Sequence, residues 1–74
     1  MKISYDQEAD ALNINLLEGS FQCRVVRLTD DIALDFAPGE KLVSIEILNA
    51  KKLGIINNKS EIRLHKILPV LEIQ

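Results

Sequence analysis

The stretch IALDFAPGEKLVSIEIL, residues 32–48, decides how this chain folds. Ile32, Leu34 and Phe36 alternate with Ala33 and Asp35. Val43, Ile45 and Ile47 alternate with Ser44 and Glu46. Each half therefore has the two-residue period of a strand with one apolar face. Between the halves, Pro38 sets φ near about −65° and Gly39 supplies the positive φ that a type II turn needs. The stretch predicts a β-hairpin. On its second arm Leu42, Ser44, Glu46 and Leu48 share the face opposite Val43, Ile45 and Ile47. That face is half apolar, which makes these four residues the candidate surface for a partner.

Toward the N-terminus the same period recurs. Ile3 and Tyr5 share one face of a short first strand. Leu12, Ile14 and Leu16 alternate with Asn13 and Asn15 in a second, which has one wet side. Residues 22–28, QCRVVRL, are rich in β-branched valine and read as a third. Glu18-Gly19-Ser20 and Thr29-Asp30-Asp31 are turn signals. Toward the C-terminus, Asn49 is placed to cap a short helix over residues 49–54, with Lys51 and Lys52 near its end and Gly54 as its stop. Beyond it the pattern is ambiguous. Leu64, Ile67, Leu68 and Leu71 sit at helical spacing, Ile62 and Leu64 at strand spacing, and Pro69 would end a helix. The favoured reading is a strand near residues 61–66 followed by an extended end. The expected fold class is α+β. It is a mainly antiparallel meander of five or six short strands with one short helix near residues 49–54, in a single domain spanning residues 1–74.

With 74 residues, 47% of them hydrophobic and 27% charged, the chain is globular rather than disordered. A body this small buries only about 60% of the surface that its unfolded chain exposes. Its aliphatic load is hard to hide in one core, so part of it is expected on a surface that another chain covers, a homodimer in the first instance. A net charge of −2, no Trp and three other aromatics argue against nucleic acid and against an anionic membrane surface. The start MKISYD has no apolar run of a signal peptide, and no segment approaches the length of a membrane helix. Cys23 is the one cysteine, which excludes an internal disulfide and points to the cytoplasm.

Candidate chemistry centres on acids. Asp6, Glu8 and Asp10 alternate like the opening of a calcium loop. The sixth position of such a loop should be Gly and is Ala11, and the twelfth should be Glu and is Leu17. A turn whose carboxylates accept backbone N–H groups accounts for the cluster better. Asp35 and Glu46 lie on the wet sides of the two hairpin arms, where a pair of carboxylates can hold a metal or simply face water. His65, the one histidine, has no partner identifiable in sequence. Cys23 sits among valines, where cysteine behaves as a small apolar side chain, although Arg24 and Arg27 would activate an exposed thiol. No catalytic site and no cofactor is assigned. Asp6, Glu8, Asp10, Asp35 and Glu46 are the only metal candidates.

YDQEADALNINL (residues 5–16), followed by ALDFAPGEKLVSIEILNAKK (residues 33–52), resembles a family of small prokaryotic proteins catalogued as domain of unknown function 2283. The resemblance covers residues 1–53. Asn13 stands where many members carry an aromatic residue, and Ser44 where Gly is usual. The family has no established activity. Some members are encoded beside a second small protein, so the resemblance implies an antitoxin-like partner that neutralises a small toxin. Function is therefore read as protein–protein contact. Enzymatic action is disfavoured, and a small metal-binding or hydrolytic protein using the clustered carboxylates is the alternative.

Overall fold

A computed structural model describes residues 1–66 and gives an all-β fold. Five strands form one antiparallel sheet: β1 (Lys2–Asp6), β2 (Ala11–Asn15), β3 (Arg24–Arg27), β4 (Ile32–Ala37) and β5 (Lys41–Leu48). Their order in the sheet is β1-β2-β5-β4-β3. The expected hairpin is β4–β5, with Gly39 at φ +85° in the turn.

Three features of the expected architecture are corrected. The sheet is not a meander, because β5 inserts between β2 and β4. Residues 16–23 cross the ends of both β5 and β4 before the chain enters β3. The crossing is fixed at its start by the Leu16 and Leu17 N–H groups, which donate to the Val43 carbonyl at 2.7 and 3.3 Å. The reason lies in β5 itself. It is the longest strand, and its residues Val43, Ser44, Ile45 and Ile47 are all buried. A central position hydrogen-bonds both its edges and buries most of its length. The short, charged β1 and β3 are left outermost, as edge strands commonly are.

The class is also not α+β, since residues 49–54 form a single turn and not a helix. Leu53 N–H donates to the Asn49 carbonyl, but Gly54 N–H then donates to Lys51 and Ile55 N–H to Ala50. That pair of bonds is a Schellman closure, with Gly54 in the left-handed region at φ +78°. The end signal arrives one turn after the start, before an i→i−4 ladder can propagate. Asn49 is itself left-handed, at φ +55°, which is incompatible with the extended backbone of an N-cap. Its amide donates instead to Asp31 Oδ1 at 2.8 Å.

One face of the sheet is covered by the chain that follows β5. Leu12, Ile14, Ile32, Leu34, Ile45 and Ile47 form the core with Ala50, Ile55 and Ile56, and Ile62 packs against them. Ile47 stands opposite Leu12 on one side and Ile32 on the other, and Ile45 stands between Ile14 and Leu34. In place of the expected strand near residues 61–66 there is an isolated bridge between Ile56 and Ile62, then a 3₁₀ turn at Leu64–Lys66. The expectations for Ile67, Leu68, Pro69 and Leu71 lie outside the described residues.

Candidate functional site

The acidic cluster is a turn whose two ends have separate roles. Asp6 Oδ1 accepts the N–H groups of Glu8 at 3.1 Å and Ala9 at 3.3 Å, closing the β1–β2 loop on itself. Glu8 is exposed. Asp10, at φ +51°, points across to the turn after β5. Its Oδ1 accepts the Tyr5 hydroxyl at 2.7 Å and the Lys51 N–H at 2.8 Å, and its Oδ2 accepts the Lys52 N–H at 3.4 Å. The Asp10 carbonyl also accepts the Ala50 N–H at 3.1 Å. Asp10 thus supplies the capping oxygens that Asn49 was expected to supply, from far upstream in the chain.

These bonds hold the Asp10 carboxyl below its ordinary value of 3.8. The Tyr5 hydrogen bond contributes most, then the Lys51 amide, with burial opposing. The same hydrogen bond, aided by burial and by the negative charge of Asp10, pushes the Tyr5 phenol above 10.0.

The second locus is the uncovered face of the sheet. Cross-strand pairing lays out Lys2, Asn15, Ser44, Asp35 and Val25 in one row, and Ser4, Asn13, Glu46, Ala33 and Arg27 in the next. Ser44 donates its hydroxyl to Asp35 Oδ2 at 2.7 Å. Asp35 and Glu46 share this face one register step apart, but the hydrogen bond of Asp35 goes to Ser44. The small side chains Ala33 and Ser44 are shaded by their neighbours, at 6% and 7% exposed, while Val25 stands 60% exposed. Among the described residues no group of three or more His, Cys, Asp or Glu side chains gathers where a metal could be held.

The four residues expected to contact a partner divide between the faces. A bulge near Asp35 and Phe36 shifts the register, so that Leu42 stands opposite Phe36 and packs against the core. Ser44 is buried within the open face, Glu46 is exposed on it, and Leu48 is half-buried at its end. No local sequence signal announced the bulge, because both Leu42 and Val43 suit either face.

The remaining candidates stand apart. Cys23 is an exposed free thiol just before β3, not within it. His65 is exposed in the 3₁₀ turn. Arg24 forms a two-pronged pair with Glu40 at 2.8 and 2.9 Å and lies 5.4 Å from the centre of the Phe36 ring. Both charged groups are largely exposed, so the pair steadies the β3 edge only slightly. A shallow cleft of about 250 Å³ opens beside Thr29, Asp31, Ile32, Leu53, Ile55 and Lys66, without a cluster of reactive groups. No helix among the described residues is long and apolar enough to cross a membrane.

These features define a small antiparallel β-sheet protein with one face closed by its own chain and the other open. The chain belongs to the family described as Protein of unknown function (DUF2283), which matches residues 2–51. The matched segment spans all five strands and reaches Lys51, whose amide Asp10 receives. No curated protein and no solved structure matches the chain.

Proposed function

We propose that this protein acts by binding another protein rather than by catalysis. The observation that supports this reading most directly is the open sheet face. It carries Asn13, Asn15, Glu46 and Val25, all exposed, around a floor of small side chains. Such a face offers a flat polar platform with an apolar spot at Val25, and it lacks the enclosed, convergent geometry that an active site needs. In the form that the family resemblance implies, the partner is a small protein encoded beside this one, and the role is that of a neutralising antitoxin. The compartment that goes with this reading is the cytoplasm, in keeping with a lone free cysteine.

Co-expression with the product of the neighbouring reading frame tests the proposal. The wild-type chain should co-purify with that product, and Asn13→Arg and Val25→Glu should each release it while leaving the β-sheet circular dichroism unchanged. Failure of the wild type to hold that product overturns the antitoxin form. Capture that both variants retain moves the contact off this face.

A further inference from the structure

β1 is an edge strand whose exposed side complements itself. The Leu16 N–H donates to the Val43 carbonyl, so Leu16, Ile14 and Leu12 are the β2 residues whose backbones bond to β5. Antiparallel alternation then turns Ala11, Asn13 and Asn15 toward β1, where they meet Asp6, Ser4 and Lys2. The N–H and C=O groups of Ile3 and Tyr5 are therefore the ones that point out of the sheet. No strand among the described residues pairs with them.

From this geometry we infer that two copies of the chain join edge to edge through β1, antiparallel, about a two-fold axis at Ser4. The inference goes beyond the contact reading above: it concerns a second copy of this chain and stands on the geometry of β1 alone. The axis sets Ile3 opposite Tyr5 of the second copy, and every outward backbone group on both strands gains a partner. It sets Lys2 opposite Asp6, twice, and Ser4 opposite Ser4. Each of these pairs keeps both side chains on the same face of the sheet: Lys2, Ser4 and Asp6 on the open side, Ile3 and Tyr5 on the core side. Opposite charges and aromatic–β-branched pairs are the cross-strand combinations that stabilise a ladder. Ile3, 45% exposed in the single chain, gains a neighbour. A slip of two residues in either direction loses both charge pairs, and a slip of one residue places apolar side chains on the open face.

The opposite edge does not share this property. By the same alternation β3 turns the backbones of Val25 and Arg27 outward. Self-pairing centred on Val25 sets Arg27 opposite Cys23 and Arg24, which is already paired with Glu40 of its own chain, opposite Val26, so no acid stands opposite a base across the seam. Cationic side chains of this kind deter edge pairing. The assembly therefore closes as a dimer and does not extend as a fibre.

Light scattering on the full chain, with cross-linking, tests the pairing. Ser4 and its symmetry mate form a non-hydrogen-bonded pair, with Cα atoms roughly 4.5 Å apart, within the range a disulfide spans. In a Cys23→Ser background, Ser4→Cys should form a covalent dimer on mild oxidation and Lys2→Cys should not. Lys2→Glu, which sets like charges opposite each other twice, should weaken self-association about tenfold or more. A wild-type chain that stays monomeric, or equal cross-linking at positions 2 and 4, overturns the inference. A monomer that still captures the neighbouring product removes the edge pairing alone. A cross-linked dimer that captures nothing removes the antitoxin reading alone.

Discussion

The Tyr5 hydroxyl donates to Asp10 Oδ1 at 2.7 Å, and the same oxygen receives the Lys51 amide at 2.8 Å. One carboxylate thereby ties the first hairpin to the turn that leads the chain back over the core. The tie has no counterpart nearby in sequence. It explains why an acidic loop that resembles a metal motif carries a left-handed Asp at its end.

Tyr5 is the one tyrosine, so its ionisation can be followed by ultraviolet absorbance without overlap. Its midpoint should lie above 10.0 and fall back in Asp10→Asn. The raised phenol contributes stability that is fully present below pH 10.0 and is lost as pH rises through the folded-state value. The lowered Asp10 contributes stability that is present above pH 3.8 and is lost as pH falls through its folded-state value. Tyr5→Phe should accordingly flatten the alkaline limb of the stability profile, and Asp10→Asn should flatten the acid limb. A Tyr5 midpoint indifferent to Asp10→Asn would remove the tie.

Leu12 and Ile47 face each other at the centre of the sheet and are fully buried. Ile47→Ala should cost roughly 2–5 kcal/mol, and Ile47→Val about 0.5–1.5 kcal/mol. A domain of this size has a total stability of about 4–11 kcal/mol, so the alanine variant should lose much of its cooperative urea transition. The double variant Leu12→Ala with Ile47→Ala should cost less than the sum of the two, because the cavities merge. An Ile47→Ala midpoint equal to the wild type would place β5 elsewhere than at the centre.

Gly54 holds φ at +78°, and a Cβ added there meets nothing within 4 Å. Gly54→Ala should therefore cost about 1–2 kcal/mol through backbone strain alone. Gly54→Asn should cost less, since Asn tolerates the left-handed region. Urea unfolding of the two variants distinguishes strain from crowding, because crowding would make the larger Asn the worse of the pair.

Much of the fold can be read in short windows. The alternation in residues 32–36 and 43–47, the Pro38-Gly39 turn and the polar–apolar alternation of residues 12–16 all correspond to strands or turns in the structure. The helix at residues 49–54 misleads because Asn49 has the composition of a start signal while Gly54 is a true stop. They lie too close together, and the distant Asp10 takes over the capping. The assignment of Leu42 to the partner-facing side misleads for another reason. A bulge changes which side a residue faces without changing its composition.

The two-residue period of the apolar side chains determined from sequence alone that this is a sheet protein, because a strand's alternation is a local steric property of the chain. Which strand lies at the centre, which carboxylate closes the turn after β5 and which strands are left at the edges were decided only by the tertiary structure. Those outcomes depend on contacts between residues far apart in sequence. The pairing of β5 along both its edges, the reach of Asp10 across to Lys51 and the outward backbone of Ile3 and Tyr5 exist only once the strands take the order β1-β2-β5-β4-β3.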